Sequence, residues 1–160
     1  MLLYEIHDVF EASGISYAIV GGYALALHGI VRATIDVDLV LNLTLESFVS
    51  AEKALNTLGL TSRLPLHAAE VFQFRKEYIE KRNLLAWSFV DFNNPTRQVD
   101  ILINKSRGSF KSEKISVGGK KISVITLKDL LKMKKESGRE KDLIDIQLIE
   151  AHLAKNKSKI

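Results

Sequence analysis

Residues 18–43 read AIVGGYALALHGIVRATIDVDLVLNL, and two carboxylates, Asp36 and Asp38, interrupt the last apolar, β-branched run. An extended strand sends successive side chains to opposite faces, so Asp36 and Asp38 share one face while Val37, Leu39 and Leu41 share the other. At a rise of ~3.3 Å per residue, the two aspartate Cα atoms stand about 7 Å apart. Like charges at that range disfavour one another unless a cation lies between them. The pair is either the solvated face of an ordinary amphipathic strand or half of a cation site.

The rest of the chain supplies a framework for such a strand. LLYEIHDVFEASG repeats apolar residues with helical spacing and stops at Gly14, and ISYAIV is a short strand ending on Gly21-Gly22. YALALHG is a compact helix closed by Gly29, and TIDVDLVLNL is the next strand. Thr44 is the expected N-cap of a helix that puts Leu45, Phe48, Val49, Leu55 and Leu58 on one side before Gly59. Residues 61–85 carry the weakest pattern, with one helix expected around KEYIEKRN. LAWSFVDFNNPTRQVDILIN reads as two strands around an Asn-Asn-Pro turn, and EKISVGGKKISVITL as a hairpin at Gly118-Gly119. From Thr126 the chain is helical, and Thr126 with Asp129 forms a capping-box-like start. The expected fold class is α/β (α+β), a small mixed sheet flanked by helices. It forms a single domain over 1–160, with a core of about 1–125 and a C-terminal helical part of about 126–154.

The absence of cysteine removes a thiolate nucleophile, a disulfide framework and a Cys-type zinc site. No apolar run reaches membrane-spanning length and no signal-peptide pattern opens the chain, so a cytoplasmic location without a membrane partner is expected. Charge is unevenly spread. Residues 1–104 carry a net −4 and residues 105–160 a net +8. Such a division suits a protein that holds cations in one place and phosphates in another, and equally a Lys-rich helix pair facing water.

A third carboxylate follows from the same alternation. In RQVDILIN, Asp100 shares a face with Gln98 and Leu102, opposite Val99, Ile101 and Ile103. If this strand lies beside the Asp36/Asp38 strand, three carboxylates converge, enough for two metal ions about 3.5–4 Å apart. Magnesium suits a short D-x-D because it takes few carboxylates and completes its shell with water and substrate phosphates. Asp91 reads as an ordinary exposed residue and His28 as a packing residue. Gly21-Gly22 can let backbone N–H groups approach a phosphate, although most such pairs are simply turns. Neither a Walker A loop nor a Gly-x-Ser-x-Gly elbow is present.

The combination is more specific than its parts. An apolar residue, Gly21-Gly22, a thirteen-residue spacer, Asp-Val-Asp-Leu and a later strand bearing Asp100 resemble the signature of the DNA polymerase β-like nucleotidyltransferase superfamily. GGYALALHGIVRATIDVDL, with Arg32 and Thr34 before the acidic pair, resembles small bacterial nucleotidyltransferases related to abortive-infection toxins. LKDLLKMKKESGREKDLIDI is similar to their C-terminal signature, which falls here on Lys134, Arg139, Lys141, Asp142 and Asp145.

The resemblance implies transfer of a nucleoside monophosphate from ATP, GTP, CTP or UTP to an acceptor hydroxyl, with pyrophosphate leaving. Asp36, Asp38 and Asp100 would be the catalytic and metal-binding acids, holding Mg2+ (two ions, with Mn2+ as a substitute). Gly21, Gly22, Arg32, Thr34 and Lys134 would bind the nucleotide. Arg32 is equally a salt-bridge partner for the aspartates, and Lys134 equally part of a solvated face. Arg139, Lys141, Asp142 and Asp145 fit ion pairing between helices better than chemistry. The implied acceptors are tRNA or another RNA, or a protein, and the implied role is the toxin of a toxin–antitoxin or phage-defence pair with a cognate antitoxin. No DNA sequence recognition is expected. Two alternatives stand beside this reading: an antibiotic nucleotidyltransferase, and a non-enzymatic nucleotide-binding or antitoxin-like partner on the same fold.

Overall fold

The computed structural model describes residues 1–159. Its elements in order are α1 (Leu2–Ala12), β1 (Tyr17–Val20), α2 (Gly21–Leu27), β2 (Val37–Leu41), α3 (Leu45–Thr57), β3 (Thr61–Ser62), α4 (Ala68–Gln73), α5 (Arg75–Arg82), β4 (Ala86–Asp91), β5 (Asn94–Leu102), β6 (Ser112–Val117), β7 (Lys120–Ile125), α6 (Leu127–Ser137) and α7 (Glu140–Lys157). The strands form one seven-stranded mixed sheet in the order β3-β4-β5-β2-β1-β7-β6. β2 runs antiparallel to β1 and parallel to β5, and β1 runs parallel to β7.

One face of this sheet is dry. Val37, Leu39, Leu41, Val99, Ile101, Trp87 and Phe89 are fully buried on it, with Leu3, Ile6 and Phe10 of α1 and Phe48 and Leu55 of α3 also in the core. Phe48 stacks on Trp87 with ring centroids 6.0 Å apart, and the indole N–H of Trp87 donates to Ser62 Oγ at 2.9 Å. An indole can be buried only where its N–H finds such a partner. The opposite face of β2 and β5 stays open enough to carry charge.

Most elements lie where the sequence pattern put them, with local differences; one is the β4–β5 turn, which falls on Phe92-Asn93 rather than on Asn-Asn-Pro, because Asn94 and Pro95 already belong to β5. The Asp-bearing strand begins at Val37 rather than at Thr34, because residues 31–35 run irregularly between α2 and the sheet, so Asp36 sits at the strand's entrance. Residues 61–85 hold three short elements rather than one helix: β3 at the sheet edge, α4, and α5 over the expected KEYIEKRN. In α3 the buried stripe runs through Phe48, Ala51, Ala54 and Leu55, leaving Leu45 and Val49 at its exposed margins. Small alanines let the helix approach the sheet, which moves the contact line away from the two larger side chains.

Both expected threonine caps form. Thr44 Oγ1 accepts from Ser47 N–H at 3.2 Å and Thr126 Oγ1 from Asp129 N–H at 3.3 Å. The Asp129 carboxylate does not complete a capping box; it accepts from Lys111 N–H at 2.7 Å and ties α6 to the start of β6. Among the described residues no helix is long and apolar enough to cross a membrane.

Trp87→Ala is expected to cost about 3–5 kcal/mol, the range for removing a fully buried aromatic side chain. Urea unfolding followed by far-UV circular dichroism checks this, and a loss under 1 kcal/mol would contradict the packing described.

Candidate active site

The site rests on strand register. β2 and β5 pair in parallel with Asp38 opposite Asp100, so the two carboxylates project from neighbouring strands onto the same open face. Asp36, one step outside β2, joins them at a cavity of about 610 Å³. Among the described residues, none of the three carboxylates is ion-paired, and the protein hydrogen bonds to them come from the neutral amide of Gln98 to Asp100, at 3.2 and 3.4 Å.

Electrostatics register that crowding. Burial, followed by the charges of Asp100 and Asp36, pushes the Asp38 carboxyl up to about 7, with Lys134 and Lys141 offsetting part of the rise. Burial and then Asp100 also raise Asp36, opposed by Arg63 and Lys141.

The glycines stand against these acids. Gly21 has φ +65°, a conformation open to glycine without strain, and a Cβ there would collide with the Asp38 carboxylate. A Cβ on Gly22 would come within 2.6 Å of Thr34 Oγ1. α2 starts at Gly21 with no side-chain cap, so the backbone N–H groups of its first turn lack a side-chain acceptor at the cavity wall.

Lys134 and Arg32 line the same cavity but are engaged with protein acids. Lys134 is buried and its ammonium donates to Asp145 Oδ2 at 2.7 Å and Asp142 Oδ1 at 3.2 Å. Arg32 Nε donates to the other oxygen of Asp145 at 2.8 Å, and Arg139 Nε to Asp142 at 3.0 Å. Burial pushes the Asp142 carboxyl upward, but hydrogen bonds from Arg139, Ser137 and Lys134 outweigh it and hold the group at about 2. Asp145 is lowered in the same way, by Lys134 and Arg32 against its burial. This network fastens the irregular segment before β2 to α6 and α7, and so fixes the position of Asp36. Lys141 faces the aspartates from the first turn of α7. Asp91 lies apart from the cluster, paired with Arg97 at 3.3 Å, and His28 Nε2 donates to Ile125 O at 2.7 Å as a packing residue.

The same cavity is lined by Asn83, Asn104 and the Lys105–Glu136 pair, which the sequence pattern did not single out. Gln98 was legible as a neighbour of Asp100 on one strand face. Arg63 lay in the segment with the weakest pattern and carried no signal of its own.

The donors fit a divalent cation of the magnesium type. They are hard oxygen atoms crowded together, with Lys141 facing them but no ion pair among the described residues, where no group of three His, Asp or Glu side chains is placed to hold a metal by itself. An open set of this kind suits an ion that completes its shell with water and phosphate oxygens rather than a closed protein cage.

No protein-family model matches the chain, and no curated protein does. Solved structures match it in fold. Antibiotic-resistance factor ANT(2'')-Ia superposes with a TM-score of 0.64 at 15% identity, over 99% of this chain and 85% of that one. Lincosamide antibiotic adenylyltransferase LnuA in its lincomycin-bound form gives 0.62 at 14% identity, over 93% and 94%. An antigenic nucleotidyltransferase-like protein from Paracoccidioides brasiliensis gives 0.56 at 16% identity, over 92% and 72%. The chain shares the fold of these nucleotidyltransferases over nearly its whole length.

Two outcomes are expected of this arrangement. The folded Asp38 carboxyl holds its proton to about pH 7, whereas the unfolded group releases it near the ordinary 3.8. In metal-free buffer it therefore withdraws stability as pH rises through that window, on the order of a few kcal/mol. Asp38→Asn should raise Tm at pH 8 and leave it nearly unchanged at pH 4 in calorimetry with a chelator; equal Tm values at pH 8 would contradict the burial of charge. Lys134→Ala leaves Asp142 and Asp145 buried with fewer partners, and is expected to cost about 3–5 kcal/mol in urea unfolding.

Proposed function

We propose that the protein transfers a nucleoside monophosphate from a nucleoside triphosphate to an acceptor hydroxyl. The observation that carries this is the set of three carboxylates without an ion-pair partner, held by β-sheet register against a glycine pair that a side chain would force away. Asp36, Asp38 and Asp100 would hold magnesium, which when bound would neutralise phosphate charge and the aspartates together. Gly21 and Gly22 would admit the triphosphate close to the backbone, and Thr34 would brace that approach from the opposite side of Gly22.

In the reaction, the acceptor oxygen forms a bond to the α-phosphorus and the bond from that phosphorus to the β-phosphate bridge oxygen breaks. Pyrophosphate leaves, and the hydroxyl proton passes to Asp100 or through it to water. Arg32 and Lys134 would first hold Asp145 and Asp142 and through them the segment bearing Asp36; Lys141, which faces the aspartates without a salt-bridge partner among the described residues, would be the better placed cation for phosphate charge. Catalysis of this kind consists mainly of positioning and charge neutralisation.

The acceptor reading favoured by the structure is a small hydroxylated molecule. Two lysines of the basic C-terminal part are paired with acids of the N-terminal part, Lys114 with Glu11 and Lys120 with Asp8. That pairing leaves less free positive charge for a polyanion than the net +8 of residues 105–160 suggests. Two of the fold neighbours act on or bind antibiotics by their own names, which supports the same class. A tRNA or protein acceptor, the choice suited to a toxin with a cognate antitoxin, is the competing reading.

Each NTP labelled at the α-phosphate would be incubated with the protein, magnesium and one of three acceptor sets: aminoglycosides and lincosamides, total RNA, or cell extract. Label transfer with pyrophosphate release is expected, falling on the order of a thousandfold in Asp36→Asn/Asp38→Asn. Transfer that survives this double substitution would remove the site assignment. Absence of both transfer and calorimetric NTP binding would overturn the function itself, and label on RNA or protein alone would replace the small-molecule acceptor.

A further inference from the structure

The geometry points to Gln98 as the positioning residue for Asp100, itself held in place by Arg63. This rests on the function proposed above and adds residues that the nucleotidyltransferase resemblance does not assign. Gln98 precedes Asp100 by two positions on β5, so both side chains leave the same sheet face. Its Nε2 donates to Oδ1 of Asp100 at 3.2 Å and to Oδ2 at 3.4 Å. Its Oε1 accepts from Nη2 of Arg63 at 2.6 Å. Arg63 in turn is fixed at the end of β3, where its backbone N–H donates to Ser88 O at 2.9 Å, and Ser88 is the β4 residue opposite Asp100.

The orientation of the amide follows from chemistry. A guanidinium has donors and no acceptor, so Gln98 can meet Arg63 only with its oxygen. That leaves the NH2 group, and no other end, for Asp100. Arg63 thereby decides which face of Gln98 the carboxylate sees. Three strands, β3, β4 and β5, contribute to the placement of one carboxylate.

Interposing a neutral amide has a consequence that a direct ion pair would not. Asp142 and Asp145, in the same cavity, are bonded directly by Lys134, Arg32 and Arg139, and their charge is spent on those partners. Asp100 receives orientation from a neutral amide, so no protein cation bonded to it stands where a metal ion would bind. An arginine placed directly on Asp100 would fix it equally well and compete with the cation it is meant to bind. Groups that orient a metal-binding side chain commonly change affinity or rate by about 10–100-fold when removed.

The test has one arm that needs no turnover. Mn2+ binding to the substrate-free protein is measured by electron paramagnetic resonance for wild type, Gln98→Leu, Gln98→Asn and Arg63→Ala. Gln98→Asn keeps the amide but shortens it by one methylene, so it breaks the bridge without adding apolar surface. Both Gln98 variants are expected to bind Mn2+ about tenfold more weakly, with Tm unchanged in a chelator. In the transfer assay they should lower kcat about ten- to a hundredfold with KM for the nucleotide within about twofold of wild type. Because Arg63 acts through Gln98, the double variant Arg63→Ala/Gln98→Leu should lose no more than Gln98→Leu alone.

Wild-type kcat and Mn2+ affinity in the Gln98 variants, or losses that multiply in the double variant, would overturn the inference. If Asp38→Asn abolishes transfer while Gln98→Leu does not, the positioning role fails and the active site stands. If wild type transfers nothing, the function fails, and the Mn2+ comparison still decides the role of Gln98 toward Asp100.

Discussion

Asp38 and Asp100 face each other across the parallel β2–β5 pair, and the neighbouring structure is arranged to keep them there. Backbone hydrogen bonds hold the two strands whatever their side chains carry, so the like charges cannot separate without breaking the sheet. The force that keeps the strands in register lies on the opposite face, where Val37, Leu39, Val99 and Ile101 are fully buried. Slipping β5 by one residue would turn Asp100 into that core and expose Val99 and Ile101. The same alternation thus builds the core on one side and concentrates charge on the other.

Six acids line the cavity, and the chain treats them in two ways. Asp142, Asp145 and Glu136 are paired directly with lysine or arginine; Asp36, Asp38 and Asp100 are not. The paired group stabilises the structure, tying α6 and α7 to the segment that precedes β2. The unpaired group costs stability, which is why burial drives Asp38 up to about 7. A protein selected for stability alone would have placed a cation among them. Leaving the positions without one is intelligible if a cation arrives from solution, and Gly21, with its positive φ, stands at the same place where any side chain would collide with Asp38.

Much of this was legible in the residues, for physical reasons. Period-two alternation in DVDLV and QVDIL placed the three carboxylates on shared faces, and Gly-Gly after a short strand marked a turn. What alternation cannot supply is which strands become neighbours. The β5-β2-β1 order that brings Asp100 to Asp38 depends on long-range contacts, and only the family resemblance suggested it. The beginning of β2 was misplaced because Thr34 and Ile35 have strand-like side chains, yet Arg32 is held out toward Asp145 and the backbone stays irregular. Residues 61–85 resisted reading because β3 spans two residues and α5 buries none of its own, so neither has a periodic pattern to detect. Arg63 fell inside that gap. Lys134 could not be read either: the run of lysines suggests a wet helix face, and its burial follows from acids on the next helix.

The charge division between the two parts of the chain acquires a structural meaning from these pairings. Lys114 and Lys120 of the β6–β7 hairpin reach Glu11 and Asp8 of α1, and Arg97 of β5 reaches Glu5 of the same helix. Each such exposed pair is worth less than about 1 kcal/mol. Their shared effect is to set α1 against β5 and the β6–β7 hairpin, matching an acidic helix to basic strand residues. The excess positive charge of residues 105–160 therefore serves in part to bind the acidic N-terminal part of its own chain. Lys141 is different in kind, because it looks toward Asp36 and Asp38 from a position exposed to solvent. On the function proposed above it would be free to move toward a phosphate without abandoning a buried partner, whereas Lys134 would leave Asp142 and Asp145 stranded if it moved.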